Sequence, residues 1–188
     1  MRATRGTAQT IAIAGGIGAV SGFLAYLVPE ALEAAGIDRG GAVLAWLLRL
    51  WPGIVFGAAI GLYLKIVDVA TIPRAAAFVP LDTAAWYAAL WFAINSVDKL
   101  GFPFDKLWQL GIASGLIGAS LVSLSALLLF PYFRRWDSVL AMIVTGGAVG
   151  VVLGIGVKGW ELVVLFTLWQ GAVAACFGWA VARARRTL

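Results

Sequence analysis

Residues 107–131 read LWQLGIASGLIGASLVSLSALLLFP, and this stretch decides the fold. From Leu107 to Phe130 it contains no charged residue, and Pro131 closes it. A helix needs about 20 apolar residues to cross the hydrocarbon core of a bilayer, so the run is long enough to span. A strand of a membrane barrel would instead alternate apolar and polar positions over about ten residues. The unbroken run, rich in Leu, Ala and Gly, therefore predicts a membrane-crossing helix.

The same texture extends outward in both directions. Of 188 residues, 62% are hydrophobic and 12% charged, where a soluble domain carries roughly 25% charged residues. Inside hydrocarbon every backbone N–H and C=O must find an internal partner, which selects helices for continuous runs of this kind. The expected fold is all-α: a single transmembrane domain over residues 1–188, built as a polytopic bundle of about six membrane helices.

Upstream, Arg2 and Arg5 precede an apolar run from Thr7 to Val28, closed by Pro29. Its positive start resembles a signal peptide, but the run is too long for a signal core, so a retained first helix is expected. A polar connection at 30–36 and a turn at 37–41 follow. Ala42–Leu50 and the Trp51-Pro52-Gly53 break allow two structures. One is a long kinked helix from Ala42 to Ile66. The other lays Ala42–Leu50 along the interface and starts the span at Pro52, a favourable first-turn position for proline. The second keeps Arg49 near headgroups, since a charge inside the bilayer costs several kcal/mol, and it is the expectation taken here. Pro73 and Pro80 mark the next connection, with Asp82-Thr83 as N-cap of a third helix ending near Asn95. Downstream, a fifth helix is expected over 138–157 and a sixth over 162–182.

Lys and Arg distribution predicts orientation. Arg2, Arg5, Lys65, Arg74, Arg134, Arg135, Arg183, Arg185 and Arg186 fall on one side of a six-span alternation; Arg39, Arg49, Lys99, Lys106 and Lys158 fall on the other. Both termini should then be cytoplasmic, with the protein in the plasma (inner) membrane. The basic residues sit in small groups at run ends and form no nucleic-acid-binding patch.

Leu50-Trp51, Leu107-Trp108 and Leu168-Trp169 recur about every 60 residues, the kind of spacing that internal repeats leave. This hints at a weak three-fold helical-hairpin repeat. Small residues at four-residue spacing predict close helix packing at Gly18 and Gly22, at Gly111 and Gly115, at Gly150 and Gly154, and at Gly178. A surplus glycine face could instead bind a second copy or another membrane subunit.

Candidate ligand residues are few. Gln170 sits in the middle of the sixth run, where its amide must find a partner; an interhelical bond competes there with a ligand. Trp169 and Trp91 lie deeper than the other tryptophans and could stack on a ligand or simply fill the core. The chain has no histidine and one cysteine, Cys176, within an apolar run. That composition offers no His-based metal or haem site and no Ser-His or Cys-His pair, so neither metal, cofactor nor enzyme activity is expected. Asp98 and Asp105 flank 101–104 in a loop, where solvation is the ordinary role of charge. No acidic or basic side chain is expected at mid-bilayer, which argues against a proton-coupled carrier. Two functions remain compatible: a transport component for a small neutral solute, or a non-catalytic accessory or scaffold subunit using glycine faces and the 98–106 loop.

Overall fold

The computed structural model describes residues 6–36, 42–96, 101, 106–156 and 159–185. Six α-helices carry it: α1 (Thr7–Ala34), α2 (Ala42–Ile66), α3 (Ile72–Asn95), α4 (Leu107–Leu129), α5 (Trp136–Gly150) and α6 (Trp160–Ala184). No strand occurs among the described residues. A 3-10 turn, Val151–Ile155, continues α5, and with it all six helices are long and apolar enough to cross a membrane. The charged loop residues Asp98, Lys99 and Asp105, and the orientation markers Arg2, Arg5, Arg39, Lys158 and Arg186, lie outside the described residues.

Three proline expectations are overturned. α1 passes through Pro29 to Ala34, α2 runs unbroken from Ala42 with Pro52 inside it, and α3 starts at Ile72 with Pro80 inside it. Ala42–Leu50 is therefore the first part of a continuous helix, not a separate interfacial segment, and Asp82-Thr83 is no N-cap. The physical reason is that an internal proline removes one i→i−4 bond, a loss neighbouring helices can offset in an apolar setting. Trp86 Nε1 donates to the Arg49 carbonyl at 2.8 Å, and Trp51 Nε1 to the Leu24 carbonyl at 3.3 Å. Each acceptor is next in sequence to the carbonyl that Pro52 or Pro29 leaves without its helical donor. α5 is shorter than expected, ending at Gly150 before the 3-10 turn.

The α2 end is fixed locally. Asp68 takes a left-handed conformation (φ 58°), Asp68 N–H donates to Lys65 O at 3.1 Å, and Val69 N–H to Leu64 O at 3.0 Å. This is a Schellman closure, with aspartate standing where glycine is usual.

Each helix packs on its sequence neighbours, and α6 returns to pack on α1, so the bundle is a closed ring. The closest approaches alternate around it: α6 with α1, α2 with α3, α4 with α5. All three are made by glycines whose missing side chains let backbones meet. A Cβ on Gly18 would strike the Gln170 carbonyl, and one on Gly22 the Phe166 carbonyl. Gly111 and Gly150 face each other's carbonyls, and Gly115 faces that of Gly146. A Cβ on Gly154 would sit 2.8 Å from Trp108 Cβ, and one on Gly178 2.7 Å from Ala14 Cβ. Between α2 and α3 the same work is done by Gly53, Gly57 and Gly61, against Thr83, Val79 and Ala75. The Leu-Trp recurrence does not mark one depth in these pairs: Trp51 and Trp169 lie in the third turns of α2 and α6, Trp108 at the start of α4.

One end of the bundle, where α3 begins and α4 ends, is filled by aromatics. Phe78 meets Phe130 at 5.5 Å and Phe177 at 5.7 Å between ring centroids, and Phe133 meets Phe177 at 4.9 Å. All four rings are buried.

Candidate functional site: an apolar cavity above a buried carboxylate

The opposite half of the bundle holds a cavity of about 360 Å³ between α3, α4, the 3-10 turn after α5, and α6. Trp86, Ala89 and Ala93 of α3 form one wall, and Leu162, Phe166 and Trp169 of α6 another. α4 contributes Leu110, Gly111 and Ser114, and the Ser114 hydroxyl is turned back to donate to the Leu110 carbonyl at 2.7 Å. The lining is almost wholly apolar. Trp86 and Phe166 meet edge to face at 5.2 Å and 84° across it.

Trp169 belongs to this site. Its ring packs on Phe56 at 6.2 Å, and its Nε1 donates to the Gly146 carbonyl at 3.1 Å, which fixes the indole against α5. Gln170 also borders the cavity, but its side chain is committed elsewhere. Gln170 Oε1 accepts from the Ser21 hydroxyl at 2.7 Å, and Nε2 donates to the Pro52 carbonyl at 3.3 Å. The Ser21 hydroxyl also lies 2.7 Å from the Gly18 carbonyl. Gln170 thus fastens α6 to α1 and α2, the interhelical use of its amide. Trp91 is not part of the site: it is 44% exposed on the outer surface of α3 and absent from the cavity wall.

Asp82 is the residue that sequence reasoning misses. The carboxylate lies inside α3 and is 2% exposed, with Oδ1 lacking any hydrogen-bond partner. A Cβ placed on Gly57 of α2 would lie 3.2 Å from Asp82 Cβ, so the close α2–α3 contact covers it. Along α3, residues 82, 86, 89 and 93 follow the i, i+4, i+7, i+11 spacing of one helix face. Asp82 is therefore on the stripe that walls the cavity, one turn (about 6 Å) beyond Trp86. The expectation of no acidic side chain deep in the bundle fails because Asp82-Thr83 after Pro80 reads as a helix start.

Polar contacts at the other end are of a different kind. Arg183 pairs with Asp137 at 2.7 Å and stacks over Trp179 at 5.2 Å, and Arg185 donates to the Val67 carbonyl at 2.7 Å. These tie the end of α6 to the start of α5 and the end of α2. Among the described residues no group of three or more His, Cys, Asp or Glu is placed to hold a metal ion.

These six apolar helices are compatible with a multi-pass integral membrane protein. The chain matches no protein-family profile, and no curated protein sequence or solved structure is similar to it.

Proposed function

We propose that this protein spans the plasma membrane six times with both termini in the cytoplasm, and that it is a transport component for a small, neutral, largely apolar solute. The observation that carries this is the cavity. It sits at one end of the bundle, is walled by aromatics and small side chains, and is backed at the other end by the Phe78–Phe130–Phe133–Phe177 cluster. Pockets of this volume and apolar character are what small-molecule sites offer. Trp169 is the ligand-contacting residue in this account. Gln170 is a fastening residue beside it, and the role is binding and passage without catalysis.

The accessory-subunit alternative ranks second. Its glycine faces are consumed within the chain, since Gly18, Gly22, Gly111, Gly115, Gly150, Gly154 and Gly178 all meet other helices of the same molecule. What remains outward is apolar side chains such as Val20, Leu62, Leu128 and Val144, which suit lipid.

The test is native mass spectrometry of the protein purified in lipid nanodiscs, compared with Ala93→Trp, which fills the cavity from α3. A small-molecule mass carried by the protein and lost in A93W supports the assignment. A stoichiometric partner protein with no small molecule would move it to the accessory role. Orientation has its own test: Gly101→Cys in whole cells should react with a membrane-impermeant maleimide, and protection there would invert the topology.

A further inference from the structure

We propose that Asp82 is a proton-binding site that couples solute passage through the cavity to proton movement; this rests on the transport assignment above. α3 places Asp82 about 15 Å along the helix from Ile72 and about 20 Å from Asn95, so in a spanning helix it lies near mid-membrane. The side chain is 2% exposed and Oδ1 has no partner. An ionisable residue at that depth is costly and is retained where ions or protons pass.

The surroundings select the ion. α4 carries no charged residue; α2 carries Lys65 at its end and Arg49 in its third turn, exposed with its guanidinium over the Trp46 ring at 5.6 Å; α6 carries Glu161 and Arg183 in its terminal turns. α1 has no charged side chain before Glu30, and α3 itself has only Arg74 besides Asp82. The other titratable groups in these helices are Tyr26, Tyr63, Tyr87 and Cys176. Among the described residues, no basic side chain is therefore positioned to neutralise the carboxylate permanently. A metal cation needs a shell of several oxygen ligands. Here the neighbouring Thr83 hydroxyl already donates to Val79 O at 2.8 Å, and Gly57 presses its backbone against the site. A proton needs only one lone pair.

The geometry also supplies the coupling. A charged, unpaired carboxylate is strongly disfavoured in apolar surroundings, so its charge is tied to whichever arrangement of α2 against α3 brings water to it. Pro52 and Pro80, each inside its helix, bracket that contact and weaken both helices there. Asp82 shares a face with Trp86, Ala89 and Ala93, so a shift of α3 that wets the carboxyl also reshapes the cavity wall. In the cycle a carboxylate oxygen takes a proton from hydronium at one face, leaving water. At the other face the O–H bond breaks, its electron pair stays on the carboxylate, and water accepts the proton.

Two measurements on the full chain in nanodiscs test this. The first is labelling with dicyclohexylcarbodiimide, which adds to a protonated carboxyl in apolar surroundings, read by peptide mass spectrometry. An adduct at Asp82 is expected, forming more slowly as pH rises, because the reagent needs the protonated carboxyl. The second is the maleimide reactivity of Ala93→Cys in a Cys176→Ala background. Its pH profile should differ by about threefold or more from that of the same protein carrying Asp82→Asn, after equal folded yield is confirmed by size-exclusion chromatography; a threefold change is about 0.7 kcal/mol of shifted equilibrium. Asp82→Glu should restore the profile. No adduct at Asp82, or superimposable A93C labelling profiles with and without D82N, overturns the proposal. Failure of the transport assignment reads out separately: A93W would keep its small-molecule mass while the Asp82 adduct is unchanged.

Discussion

Gln170 and Asp82 are each the eleventh residue of a helix, and each is almost fully buried. The structure treats them in opposite ways. Gln170 reaches the Ser21 hydroxyl on α1 and the Pro52 carbonyl on α2, so its amide is spent on holding three helices together. Asp82 has an oxygen with nothing to bond and a glycine backbone pressed beside it. A buried polar group with partners fastens a fold. One without partners costs stability, and retaining it calls for some other use.

The comparison breaks most severely at the contact beneath Gln170. Gly18→Leu drives a side chain into the Gln170 backbone and should cost about 4 kcal/mol or more, the range of severe overpacking. Loss of folded protein on size-exclusion chromatography is the readout. Next, Gln170→Ala removes one member of the Ser21–Gln170–Pro52 set and should cost about 1–3 kcal/mol, the penalty for unpairing buried polar groups. A thermal unfolding scan in detergent would show it, and an unchanged midpoint would strip Gln170 of its fastening role. Ser21→Ala should cost less, about 0.5–1.5 kcal/mol, the net worth of one hydrogen bond. Asp82→Leu sharpens the contrast, because replacing an unpartnered polar group by an apolar one of similar size is near neutral or stabilising by about 1 kcal/mol. A lowered unfolding temperature for that variant would mean that Asp82 has a partner after all. Trp91→Ala, on the outer surface, should stay within about 0.5 kcal/mol of the parent, as surface substitutions do.

Much of this was legible in the residues. The apolar runs predicted six helices, and the four-residue glycine spacing marked two of the three close pairs. Gln170 as an interhelical donor followed from an amide in the middle of an apolar run. The third pair carries the same signal, since Gly53, Gly57 and Gly61 keep four-residue spacing inside either reading of the second helix. Asp82 was lost because Pro80 reads as part of a connection. Asp-Thr after Pro80 has the local chemistry of an N-cap, and an aspartate at a cap and one buried mid-helix are the same letter. Only the seating of Ala75, Val79 and Thr83 against the α2 glycines tells them apart. Trp91 lies away from this cavity, because depth along a helix says nothing about which way a side chain faces.

The ring closes between the first helix and the last, which has a consequence for how the protein is made. During synthesis α1 emerges before the other five helices, carrying Ser21 and the Gly18–Gly22 groove, while their partner α6 is the last of the six to be translated. Until then, the most closely packed surface of the six-helix ring stands uncovered. Assembly therefore ends on a single latch, and a chain truncated before α6 leaves that groove exposed to quality-control proteases or to the α6 of another copy.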